Sequence, residues 1–212
     1  MNFTEKFLSF AEQVIKRIDP KEVEAVVDCL AAVRESGGRL FLIGSGGGAG
    51  HASHAACDFR KLCNIESYAA YDNVSELTAR VNDEGWDVSA VNWLKVSRLN
   101  SKDCVFVFSV GGGSATANIS MNLVKAMQHA TEVGAKIVGV VGKDGGYTKQ
   151  TGTAVVVIPT IDSQMLTPLA EGFQAVIWHL VVSHPKLQVH TAKWESVTTV
   201  PTAPAPELSF QP

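Results

Sequence analysis

Cysteine, runs of one charge and long apolar stretches are all scarce in this chain, and each scarcity excludes something. Of 212 residues only four are cysteine, at Cys29, Cys57, Cys63 and Cys104, and no C-x-x-C spacing joins any two. That excludes the common thiolate metal frameworks and leaves reduced thiols, expected to lie buried in the apolar periodic segments that carry them. No run of Lys or Arg stands out and the formal net charge is -3, which disfavours direct nucleic-acid binding. No apolar stretch approaches the ~20 residues of a membrane-spanning helix. Met1-Asn-Phe-Thr-Glu-Lys6 lacks the basic start and apolar core of a signal peptide, so a cytoplasmic location is expected. Against these scarcities stand 46% hydrophobic residues, enough to bury one α/β core.

The pattern along the chain alternates helix and strand. Two helices are predicted over about 2–36. Asp19-Pro20 gives the second an N-cap and a first-turn proline, and Ala25, Val26, Cys29, Leu30 and Val33 recur at helical spacing. Arg39–Ile43 reads as a strand, followed by a glycine loop and a helix to about Leu62. A short strand near Tyr68–Tyr71 leads to Asp72-Asn73, a capping pair for a helix from about Val74 to Val81, and Trp86–Leu94 is another helical piece. Cys104–Phe108 is a continuous apolar strand, as expected where both sheet faces are covered. A helix is predicted from Ser114 to Val133, then strands at Lys136–Val141 and Thr153–Ile158, and Thr167-Pro168 caps a final helix to about Val182. The alternation implies an α/β fold with a doubly wound parallel sheet flanked by helices, in a single domain over 1–190. Residues 191–212, rich in proline and small side chains, read as a mobile C-terminal tail that Trp194 docks locally.

Three glycine loops follow strands, at Gly44-Ser45-Gly46-Gly47-Gly48, Ser109-Val110-Gly111-Gly112-Gly113-Ser114 and Gly142-Lys143-Asp144-Gly145-Gly146. In a parallel sheet they gather at the carboxyl edge, where ligands bind. The first is no P-loop, because no Gly-Lys-Ser/Thr closes it. Backbone N–H groups at a helix N-terminus, joined by the hydroxyls of Ser109 and Ser114, suit a phosphate. His54 and Asp58 stand four apart and share one helix face, where they can share a metal or a proton-transfer task. Glu171 and His179 interrupt an otherwise apolar helix and are costly to bury unless paired or metal-bound. Their spacing of eight separates the Cα atoms by ~12 Å along the axis and ~80° around it. They reach one ion only by leaning together, or one serves a neighbouring subunit, or the two are unrelated polar positions. His51, His129, His184 and His190 receive no role.

In this order the motifs resemble the sugar isomerase (SIS) family, within it the phosphoheptose isomerase branch, over about residues 5–185. That family carries two hydroxyl-rich glycine loops, a helix with His and Glu four apart, an Asn-Asp pair, a Gly-Lys-Asp/Glu-Gly-Gly turn and a last helix with Gln and His eight apart. The resemblance implies a flavodoxin-like three-layer sandwich with N-terminal helices. It implies substrate contacts at Ser45, Gly46, Gly47, Gly48, Asp58, Asn82, Asp83, Ser109, Val110, Gly111, Ser114 and Glu171. It implies one zinc or other divalent ion per site, held by His54, Asp58, Glu171 and His179. The reaction so implied is aldose–ketose isomerisation of a phosphorylated sugar, sedoheptulose 7-phosphate to D-glycero-D-manno-heptose 7-phosphate, in a homotetramer with sites at subunit interfaces. Asp58 is the expected base and His179 its acid partner, although Asp58 cannot be a tight ligand and a free base at once. The departures from the family are Gly48, Val110 and Gly111 in place of hydroxyl residues, Asp58 in place of Glu, and Glu171 in place of Gln. The lost hydroxyls leave a rival reading, a non-catalytic phosphosugar-binding regulator such as a replication-initiator-associating protein. An epimerase or aldolase-like enzyme using the same metal is the other.

Overall fold

A computed structural model of the chain describes residues 1–191. The helices α1 (Phe3–Arg17) and α2 (Pro20–Glu35) lead into β1 (Leu40–Gly44). The chain continues through α3 (Gly47–Cys63), β2 (Ser67–Ala69), α4 (Val74–Glu84) and α5 (Ser89–Val96) to β3 (Cys104–Ser109). Then come α6 (Met121–Val133), β4 (Lys136–Val141), α7 (Gly146–Thr151), β5 (Ala154–Val157) and α8 (Leu166–Ser183). Asn2 closes a capping box on α1, and Asp19 accepts from the Lys21 amide with Pro20 at the first helical position.

All five strands are parallel, in the order β2-β1-β3-β4-β5. The chain winds outward in both directions from β1, so the switch point lies between β1 and β3. The strands are buried along nearly their whole length because helices cover both faces. Alternate side chains split between two cores. Leu40, Leu42, Phe106, Phe108, Val138 and Val140 meet α2, α3 and α8 on one face, with α1 packed outside. Phe41, Ile43, Val105, Val107 and Ile137 meet α5 and α6 on the other. The sandwich therefore has three layers, as its alternating pattern requires.

Several local expectations need correction. The helix expected from Ser114 begins only at Met121, because residues 114–119 fold back into a small bridge in which Ser114 and Ile119 exchange amide bonds of 3.0 Å. The helix expected to stop near Val81 runs to Glu84, so Asn82 and Asp83 lie within it. Thr167 is not the cap of α8: that helix starts at Leu166 behind a 3-10 turn whose cap is Asp162. The statement that no apolar run nears membrane length also fails there. Ser163–Ser183 spans 21 residues at a mean hydropathy of 1.3, apolar and long enough by composition to cross a membrane. In this fold it packs against α3, β4 and α2 as a core helix. Of the thiols, Cys63 and Cys104 are buried and Cys29 half-buried, but Cys57 is exposed, since it falls on the outward side of α3. The expected tail, apart from Thr191, lies outside the described residues.

Candidate active site

The first two glycine loops sit on either side of the switch point. The first joins β1 to α3, whose N-cap Gly46 has φ 57° and offers no side-chain cap; the Gly48 and Ala49 amides turn back onto the Ser45 and Gly46 carbonyls. Gly48 is fixed by crowding: a Cβ there would lie 2.5 Å from the Phe108 carbonyl oxygen of β3. The serine that the family resemblance leads one to expect at this position does not fit on this backbone. Gly111, by contrast, faces open space.

The second loop is tied to the third. Gly112 accepts from the Thr148 amide at 2.9 Å, Gly113 from the Tyr147 amide at 2.8 Å, and Val110 from the Gly142 amide at 3.0 Å. Ser109 Oγ accepts from the Gly112 amide at 3.0 Å and so shapes its own loop. Ser114 Oγ accepts from the Ala117 amide at 3.2 Å and so shapes the small bridge. Beside these loops opens a cavity of about 430 Å³ lined by Gly111, Ser114, Lys143, Asp144 and Tyr147 among others. The N-terminus of α6 carries no side-chain cap either, with Ser120 before it at φ 52°.

Two helices bring the ionisable groups together. α3 presents His54 and Asp58 one turn apart, with His54 Nε2 3.9 Å from Asp58 Oδ2. α8 packs across α3 and places the His179 ring 5.6 Å, edge-on, from that of His54. Ligand atoms of His54, Asp58 and His179 all lie within 4.8 Å of one another. His179 Nδ1 is 2.8 Å from the Ala175 carbonyl. A carbonyl only accepts, so Nδ1 carries the hydrogen and Nε2 keeps its lone pair. Two imidazoles and a carboxylate, one imidazole held in its tautomer by a second bond, fit a three-ligand divalent site with an open position.

Glu171 does not join that group in this chain. Its carboxylate lies over Gly47, where a Cβ would come within 2.6 Å of Glu171 Cδ. The eight-residue separation from His179 has this consequence, since the two side chains leave α8 at different heights and angles. The position is still a charged one: a carboxylate at the N-terminus of α3 meets the positive end of the helix. Asn82 and Asp83 are exposed on α4, where the Asn82 amide donates to Asp83 at 2.7 Å, and α4 buries no residue of its own. Within one chain they are not gathered with the loops and the histidines.

Three residues near the site carried no assignment. His51 stands three before His54 on α3, and burial lowers its pKa below the usual imidazole value, while the Glu171 carbonyl and carboxylate pull the other way. Asn122 and Tyr71 form a buried polar link to Ser45. Asn122 had a legible signal, being the one polar residue on the buried stripe that continues through Leu123, Ala126, Met127 and Ala130.

A family model described as SIS domain matches residues 2–142. Among curated proteins, the lincomycin biosynthesis protein LmbN of Streptomyces lincolnensis is 31% identical over 188 residues, 84% of this chain and 66% of that protein's length. A phosphoheptose isomerase of Nitratiruptor sp. is 30% identical over 164 residues, covering 75% of this chain and 81% of the relative. Among solved structures, phosphoheptose isomerase GmhA from Neisseria gonorrhoeae superposes with a TM-score of 0.72 at 19% identity, over 85% of this chain and 98% of that one. That likeness covers more of the chain than the matched family segment.

Proposed function

The chain belongs to the SIS domain family, and from that membership we propose that it is an aldose–ketose isomerase acting on a phosphorylated sugar. The observation that carries the reading is the convergence of His54, Asp58 and His179 on α3 and α8, in a fold whose first two glycine loops flank the switch point. Phosphoheptose isomerases among the relatives support sedoheptulose 7-phosphate and D-glycero-D-manno-heptose 7-phosphate as the pair interconverted.

The substrate phosphate binds the Gly111 and Gly113 amides of the second loop and the uncapped start of α6, with the Ser109 hydroxyl hydrogen alongside. Asp58 takes the proton from one of C1 and C2, and the Asp58 carboxylic acid so formed returns it to the neighbouring carbon of the enediolate. His179, its Nδ1 held on the Ala175 carbonyl, carries the proton exchanged with the sugar oxygen at Nε2. With zinc bound, His54, one Asp58 oxygen and His179 Nε2 would be its ligands, and its Lewis acidity at the sugar carbonyl would replace the proton otherwise carried by His179. Glu171 stands over the first glycine loop of its own chain, while the Asn82–Asp83 pair completes the site from a second subunit of a homotetramer. A reducing, cytoplasmic setting suits four free thiols.

The test is an isomerisation assay of the purified protein on a panel of C5 to C7 sugar phosphates, beside metal analysis by plasma emission. Turnover of a ketose phosphate with about one zinc per chain is expected. Tight binding of a sugar phosphate without any turnover would favour the regulatory reading, and indifference to the phosphate would remove it from the site.

A further inference from the structure

A polar chain runs beneath the first glycine loop and has no part in the chemistry above. Asn122, in the first turn of α6, is fully buried. Its Nδ2 donates to Ser45 Oγ at 3.1 Å and to the Tyr71 hydroxyl at 3.0 Å. Tyr71 lies 3.1 Å from Ser89 Oγ, and Ser89 Oγ lies 2.8 Å from the Trp86 carbonyl.

That carbonyl fixes the direction of every bond in the chain. It only accepts, so Ser89 gives its hydrogen to it. Tyr71 must then donate to Ser89, which leaves the Tyr71 oxygen as an acceptor facing Asn122. Only the amide nitrogen can meet it, because the flipped amide would set Oδ1 against that acceptor. The other Nδ2 hydrogen goes to Ser45 Oγ. The Ser45 hydroxyl therefore keeps its own hydrogen for a partner outside the chain.

A purely structural role would be better filled by an apolar side chain. Asn122 Oδ1 is buried with no partner among the described residues, a state that costs stability and that leucine would avoid. What the amide provides in exchange is two placed hydrogens. Burial also pushes the Tyr71 phenol above its ordinary pKa, so it keeps the proton that the chain needs.

We propose that Asn122, aligned by Tyr71, is a positioning residue that holds the Ser45 hydroxyl as a hydrogen-bond donor to a substrate oxygen. This rests on the reading of the first loop as a substrate contact. The recognised group is an oxygen acceptor, on the phosphoryl group or on the sugar itself. The link also ties the loop after β1 to the start of α6, so one amide spans both sides of the switch point.

The experiment is a double-mutant cycle in ligand binding. Calorimetry measures the tightest-bound member of the sugar phosphate panel with the wild type, Ser45→Ala, Asn122→Asp and the double variant, with thermal melting as the fold control. Ser45→Ala is expected to weaken binding about tenfold, as for a lost hydrogen bond to a charged group. Asn122→Asp places a carboxylate where the amide stood, turns the Ser45 hydrogen inward, and should weaken binding comparably. The double variant should match Ser45→Ala. Tyr71→Phe, which frees the amide to rotate, should give a smaller loss that also vanishes on the Ser45→Ala background. This neutral variant decides the matter if Asn122→Asp does not fold. Additive losses with Ser45→Ala weakened would overturn the positioning role and leave the site reading intact. Wild-type affinity in Ser45→Ala, or no binding of any sugar phosphate, would overturn the site reading and the proposal with it.

Discussion

One hydrogen bond at His179 decides what its ring can do. With Nδ1 bound to the Ala175 carbonyl, Nε2 takes a metal or a proton, and gives a proton only from the imidazolium. His179→Ala is therefore expected to lose bound zinc and to lower turnover by about a hundredfold or more, as for a removed acid–base group. Because the ring is exposed, melting temperature should stay close to that of the wild type. Metal analysis and a thermal melt on the same sample check both parts. Retained zinc in the variant would place the ion elsewhere. The thiols differ at the same scale. Burial above all pushes the Cys63 thiol up to about 11, and burial raises Cys104 as well. The thiolate is the reactive form, so both should resist alkylation in the folded protein. Iodoacetamide at pH 8 followed by peptide mass spectrometry should label exposed Cys57 first, with Cys63 and Cys104 labelled only on unfolding.

At the scale of loops and helices, the departures from the related glycine loops have different causes. Gly48 is imposed by the close approach of α3 to the end of β3. Gly48→Ser should destabilise the protein by about 1–3 kcal/mol, the usual cost of overpacking, and be seen as a lower melting temperature. Gly111 has no such neighbour. Gly111→Ser should fold as the wild type and, by adding a hydroxyl beside the proposed phosphate, tighten sugar phosphate binding several-fold. Weaker binding in Gly111→Ser, measured by calorimetry, would show that substrate already occupies that space. The small bridge over 114–119 delays the start of α6, and the Ser114 hydroxyl helps turn the chain there by accepting from the Ala117 amide.

For the whole molecule, the exposed apolar side chains are unevenly placed. Phe3, Leu8 and Ile15 stand exposed on α1, and Val176 and Leu180 on α8. Ile15, Val176 and Leu180 line one shared depression with Ile18 and Phe173. Contiguous apolar surface of this kind marks a contact between chains. Light scattering at micromolar concentration is expected to give a tetramer, and Leu180→Glu to shift it towards smaller species. Activity should fall with the assembly if the Asn82–Asp83 pair serves a neighbouring site. A monomeric wild type would count against the shared site as well as the tetramer.

Local pattern determined much of this protein without help from the fold. Apolar runs such as Cys104–Phe108, glycines after strands and Asp19-Pro20 at a helix start are each decided by neighbours a few residues away. They were enough to give a doubly wound parallel sheet with its loops at one edge. The pairing of His54 with Asp58 was equally legible, since four residues on a helix is one turn. What lay beyond the sequence depends on contacts between distant segments. Only the packing of α8 on α3 brings His179 to that pair and leaves Glu171 over Gly47 instead. Only the approach of α3 to β3 makes Gly48 obligatory. The link from Asn122 through Tyr71 to Ser45 joins residues 77 and 51 positions apart. No periodicity records such a distance, because tertiary packing alone sets which buried polar groups meet.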